Sequence, residues 1–118
     1  MLQSHVKMVT KTEFIAALNK GFEGYAHQKH AFTDLGRAEI TNETKAICSW
    51  AAITRGLGGV DPARTASTAI NEMAAGRVFG GVCSVNNSSA SKEEAISRVT
   101  RLVEDHWPPG GAIEMAIF

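Results

Sequence analysis

Residues 41–59 read Thr41-Asn42-Glu43-Thr44-Lys45-Ala46-Ile47-Cys48-Ser49-Trp50-Ala51-Ala52-Ile53-Thr54-Arg55-Gly56-Leu57-Gly58-Gly59, and this stretch decides the fold class. Ile47, Trp50, Ala51 and Thr54 recur at the spacing that puts side chains on one face of a helix. Ala46, Ile53 and Leu57 widen that face, which predicts burial on more than one side and a core position for Trp50. Thr41 or Asn42 can cap the start, because a short side-chain oxygen accepts a bond from an orphan backbone N–H. Glu43 in the first turn and Arg55 in the last suit the helix dipole. Gly56, Gly58 and Gly59 supply the left-handed backbone that stops helices. Ala51 and Ala52 are small, so a second helix can approach closely there.

Upstream, Thr12, or alternatively Thr10, opens another helix, with Phe14, Ile15, Leu18, Phe22 and Tyr25 at helical spacing. Gly21 and Gly24 interrupt it, each costing about 1 kcal/mol against Ala unless something packs close. Residues 26–40 are irregular and polar. Thr33, Asp34 and Gly36 are turn residues, and Phe32 and Leu35 are expected to anchor the loop to the core.

Downstream, Asp61-Pro62 is a cap followed by Pro at the first helical position, with Ala66, Ala69, Ile70 and Met73 as the buried face and Gly76 as the stop. Residues 77–85 form a short apolar run that reads as one brief strand over 82–85, and residues 86–91 as a loop. Ser91 and Glu94 make a capping box before Ile96, Val99, Leu102, Val103 and His106 or Trp107. Pro108, Pro109, Gly110 and Gly111 break that helix. Residues 112–118 are apolar apart from Glu114 and suit a strand beside residues 6–9 or beside a second copy. The expected fold is mainly α: one domain, a compact bundle of about four helices, with a small two-stranded β element from the two termini.

The 118 residues suit one hydrophobic core. Twelve basic residues balance twelve acidic ones, so the formal net charge is zero, which argues against nonspecific nucleic-acid binding. Two cysteines, Cys48 and Cys83, do not make a zinc framework. They read as reduced, buried thiols of a cytoplasmic protein, although spacing alone does not exclude a disulfide between them. The first nine residues lack a secretory signal, and no run approaches the ~20 apolar residues of a membrane span.

Cys48-Ser49-Trp50-Ala51-Ala52-Ile53 and Val85-Asn86-Asn87, followed by Ser91-Lys92-Glu93-Glu94, resemble the motifs of an uncharacterised family of small bacterial and phage proteins. That family carries a Cys-x-x-Gly-Ala-Leu helix and an Asn-Asp-type loop before a final helix. Ala51 stands where the family has Gly, and Asn87 where it has Asp. Tyr25 and Gln28 are similar to its aromatic and Gln upstream of the cysteine. The resemblance covers residues 14–104 and implies a compact fold without assigning chemistry.

Candidate sites are few. Cys48 beside Trp50 is similar to the nucleophile of papain-like hydrolases, and His106 is the only downstream histidine that could serve it. A helix capped at Thr41 would put Cys48 two turns in, too deep for the dipole to activate it. His27 and His30, three apart, could share a helical face and bind a metal with Asp34, but two histidines are a weak metal signal, so no metal is assigned. Tyr25, His27, Gln28 and His30 form one candidate ligand-binding segment. Asn86, Asn87 and Ser88 form another, a loop before a helix start that could bind an anion such as a nucleotide. Trp107, Ile113, Met115, Ile117 and Phe118 could pack on the core or serve an interface, with a foreign protein or in a homo-oligomer. No phosphate-binding, dinucleotide-binding or serine-hydrolase motif is present, so no cofactor is expected. The leading expectation is a small non-enzymatic, phage-linked protein that binds another protein. A module for a small anionic ligand comes second and a cysteine hydrolase third.

Overall fold

Thr10 starts the first helix because its hydroxyl accepts the Glu13 N–H at 3.2 Å, while the Glu13 carboxylate takes the Thr10 N–H at 3.3 Å. This reciprocal box fixes helix α1, Lys11–Phe22, two residues earlier than a cap at Thr12 would. The structure, a computed structural model, describes residues 5–37, 40–58, 73–107 and 111–117. The helix expected from Asp61-Pro62 and the tail residue Phe118 lie outside them. Among the described residues there are three further helices: α2 Ser49–Gly56, α3 Met73–Ser88 and α4 Lys92–His106. Strands β1, His5–Thr10, and β4, Ala112–Ile117, pair antiparallel from His5↔Ile117 to Thr10↔Ala112. The ribbon from the two termini is therefore present, closed within one chain. Two short strands, β2 Ala26–His27 and β3 Ala46–Ile47, pair parallel. The fold is mainly α, and no helix among the described residues is long and apolar enough to cross a membrane.

α1 and α2 are the most intimately packed pair, and they meet through small residues. A Cβ on Gly21 would overlap the Ala52 carbonyl, and one on Gly56 would overlap the Ala17 carbonyl. The two segments, Ala17 to Gly21 and Ala52 to Gly56, thus run antiparallel with each glycine seated on the other helix's alanine. The close approach expected at Ala52 is real, and its partner is the glycine that breaks the α1 pattern. Around this crossing Phe14, Leu18, Phe22, Ile47, Trp50, Ile53, Val82, Val99 and Val103 form the core. Phe14 lies between Trp50, at 6.3 Å between ring centroids, and Trp107, at 5.2 Å. Trp107 packs against the core, and its buried Nε1 has no hydrogen-bond partner among the described residues.

Several expectations are corrected. The central helix begins at Cys48, not at Thr41. Thr44 explains the difference: its hydroxyl accepts the Thr41 N–H, and its own N–H bonds the Thr41 carbonyl, closing a turn where a helix would start. Short polar side chains compete in this way with helical bonding. Ala46 and Ile47 then pair as β3, which sets the entry into α2. Residues 82–85 are helical, and Gly76 lies inside α3 rather than ending a helix. A short apolar run cannot be assigned to strand or helix by periodicity. Gly81 is there because the helix faces Leu102 of α4, where a Cβ would come within 2.7 Å of a methyl carbon. Tyr25 lies beyond the end of α1 at Phe22. Phe32 and Leu35 do not anchor their loop, being 37% and 41% exposed.

Ser91 caps α4 as expected, accepting the Glu94 N–H at 3.1 Å, while the Glu94 carboxylate reaches one residue further back, to the Ala90 N–H. Thr10→Ala and Ser91→Ala should each lower stability by about 1 kcal/mol, since each leaves a helix N–H without its acceptor. Denaturant midpoints check this, and two unchanged midpoints would show that the caps contribute nothing.

Candidate functional site

Asn86 joins three elements at one point. It is 1% exposed, in the last turn of α3. Its Oδ1 accepts the Ser49 N–H at 2.8 Å and the Ser49 hydroxyl at 2.7 Å. Its Nδ2 donates to the Gln28 carbonyl at 2.9 Å. Its own carbonyl lies 3.0 Å from His27 Nε2. One amide therefore ties the C-terminus of α3 to the start of α2 and to the segment after β2. Asn87 extends the tie: its Oδ1 accepts the His30 N–H at 2.8 Å and the Asn86 Nδ2–H at 3.3 Å. His30 holds a left-handed backbone, with φ of 65°.

The two candidate ligand segments are thus one place. His27, Gln28, His30, Asn86 and Asn87 converge, although residues 27–30 and 86–87 are far apart in sequence. Not all of them are free to meet a ligand. Gln28 spends its side chain on the Thr33 carbonyl, at 2.8 Å, and Ser88 donates to the Val85 carbonyl and accepts from Arg98. Tyr25 stands apart, with the Arg55 guanidinium 5.0 Å above its ring and its carbonyl bonded by Lys92. His27 and His30 lie on a strand and a bend instead of one helical face, and no group of metal ligands forms among the described residues.

Beside this knot opens a cleft of about 300 Å³, lined by His30, Ala31, Phe32, Gly36, Cys48, Trp50, Cys83, Asn86 and Asn87. Ala31, Phe32, Gly36, Trp50 and Cys83 were not candidates from sequence; only proximity in space groups them. Among the described residues, the wall carries no Lys, Arg, Asp or Glu. Asn87 Nδ2 and the His30 ring make no hydrogen bond to the described residues and remain available at its edge.

Cys48 stands at the cap of α2, its sulfur 3.4 Å from the Ala51 N–H it accepts. The two-turn depth expected for it is therefore wrong, and the helix terminus does act on the thiol. Burial outweighs that help: desolvation raises the Cys48 pKa, the Ala51 and Trp50 N–H groups offset it in part, and nearby Cys83 adds to the rise. Cys83 is exposed, contrary to expectation, and desolvation still raises its pKa. Both thiols are free. His106 is exposed in the last turn of α4 and does not line the cleft, so the structure does not bring it to Cys48. The cleft can enclose a molecule, but its thiols are held protonated.

Asn87 uses its carbonyl oxygen for both bonds. Asn87→Asp should keep both and strengthen the one from His30, against a like-signed helix C-terminus, for a net change within about 1 kcal/mol. A thermal melt shifted by many degrees would contradict this geometry.

No protein-family model matches the chain, no curated protein is significantly similar to it, and no solved structure matches its fold.

Proposed function

We propose that this chain is a non-enzymatic binding module whose cleft holds a small, largely apolar and uncharged molecule. The observation that carries this reading is the cleft itself: aromatic and thiol walls from Phe32, Trp50, Cys48 and Cys83, with polar atoms of Asn87 and His30 left open at the edge. Small-molecule sites have this character, apolar with a few fixed polar groups. An anionic ligand suits it less well. Among the described residues the lining has no cationic side chain, and Asn86, Asn87 and Ser88 end a helix, where the dipole is negative, instead of leading into one. A hydrolase suits it least, because the thiol most nearly placed for attack is held neutral by burial.

Amide and side-chain NMR of the labelled protein during a neutral-fragment screen tests the reading. The expected result is hits whose perturbations gather on His30, Phe32, Trp50 and Asn87. No hits, or perturbations scattered over the surface, would overturn it.

A protein partner is the second reading, favoured by the exposure of Phe32 and Leu35 on the loop at the cleft. Large apolar side chains beside a concavity suit a partner's anchor residue. The phage link rests on the family resemblance. Phe32→Ser with Leu35→Ser should abolish capture of such a partner while leaving the melting temperature unchanged. Undiminished capture would remove this loop from the interface.

A further inference from the structure

Cys48 and Cys83 sit on two walls of one cleft, and a rigid tie sets those walls together. Ser49, next to Cys48, is bonded twice to Asn86. Cys83 lies three residues before Asn86 on α3, about 4.5 Å along the axis, on nearly the same face. Cys48 precedes Ser49, and both cysteines line the same cleft. Cys83 also raises the Cys48 pKa electrostatically, as a group on the facing wall does. A disulfide needs Cα atoms within about 4.4–6.8 Å, so its formation requires the tied walls to bring the two residues to that spacing.

We propose that Cys48 and Cys83 form a reversible disulfide that closes the cleft floor, with a small-molecule disulfide as the oxidant. Cys83 is the entry point because it is exposed while Cys48 is buried. Its thiolate attacks one sulfur of the oxidant, the oxidant's S–S bond breaks, and one small thiolate leaves. Cys48, having lost its proton to solvent, then attacks the Cys83 sulfur of the mixed disulfide and expels the rest of the oxidant. Two protein thiols are oxidised, one small disulfide is reduced to two thiols, and the protons lost by the protein go to the leaving groups. Both thiols titrate above the ordinary thiol range, so exchange is slow at neutral pH and quickens as pH rises. The inference does not depend on what the cleft binds.

The test is incubation of the full native chain with oxidised glutathione at mildly alkaline pH, followed by intact mass, thiol titration and peptide mapping. The expected result is loss of both titratable thiols and of two hydrogen atoms, a peptide joining residues 48 and 83, and full reversal by reductant with near-UV dichroism retained. Cys48→Ser should instead stop at a glutathione adduct on Cys83. Wild-type protein that stops at that adduct, keeps both thiols, or forms the disulfide only in denaturant would overturn the proposal. The wild-type result decides the matter even if the variant fails to fold.

Discussion

Gly21→Ala is expected to destabilise the fold by more than about 3 kcal/mol, although the same change in an exposed helix would stabilise it. The sign turns on one contact. Alanine is the better helix former by about 1 kcal/mol, and at Gly21 nothing in the α1 backbone opposes it. The added methyl, however, would occupy the space of the Ala52 carbonyl, which is backbone and has no rotamer to move. The helices must part, and parting them opens the core around Phe14, Leu18 and Ile53 while loosening the Arg55 bonds to the carbonyls of Lys20 and Gly21. Losses above about 4 kcal/mol are rare and mark a named fault of this kind. Gly56→Ala should act alike against Ala17, and the double variant should lose less than the sum, because the first change already separates the pair. Lys20→Ala, one residue away and exposed, should stay within about 0.5 kcal/mol. Urea unfolding of the four variants measures this. A Gly21→Ala protein more stable than wild type would mean that α1 and α2 do not touch as described.

Asn86→Ala is expected to cost about 3–4 kcal/mol and to abolish fragment binding in the cleft. Truncation leaves the buried Ser49 N–H and hydroxyl and the Gln28 carbonyl without their partner, and each unsatisfied buried group costs about 1–3 kcal/mol. Asn86→Asp would not rescue the site. It keeps an acceptor for Ser49, but it replaces the Nδ2 donor with an oxygen facing the Gln28 carbonyl and Asn87 Oδ1. Ser49→Ala should lose less, since it removes only the hydroxyl and leaves the backbone N–H bonded. A cycle of Asn86→Ala with Ser49→Ala should show coupling, as contacting residues do. A loss under about 1 kcal/mol for Asn86→Ala would show that the three elements are held together by something other than this amide.

Much of the architecture is legible along the chain because its causes are local. Thr10 with Glu13 and Ser91 with Glu94 announce helices α1 and α4, since a cap and its N–H are three residues apart. The alternation in residues 112–118 announces a strand, since period two is a property of the segment itself. Helices α1 and α4 and the terminal ribbon follow from such signals, whereas α3 occupies residues that read as a strand and a loop. The start of α2 was not legible. Thr41 and Cys48 are both able to cap, and the choice fell to Thr44, which closes a turn, and to β2, which takes Ala46 and Ile47 as its neighbours. Gly21 read as a flaw in a helix until Ala52 was found against it.

The candidate site divides along the same line. Sequence by itself determined which residues were unusual for their places: a polar Tyr25-to-His30 segment, paired asparagines, and a cysteine beside a tryptophan. Only the tertiary structure decided that His30, Cys48, Trp50, Cys83 and Asn87 face one cleft and that Asn86 is a buried tie. The physical reason is range. Caps and amphipathic faces act over three or four residues, so their pattern is written in neighbouring letters. The bonds of Asn86 to Gln28 and Ser49 span 58 and 37 residues, and nothing within the last turn of α3 distinguishes an asparagine that ends a helix from one that holds the fold together.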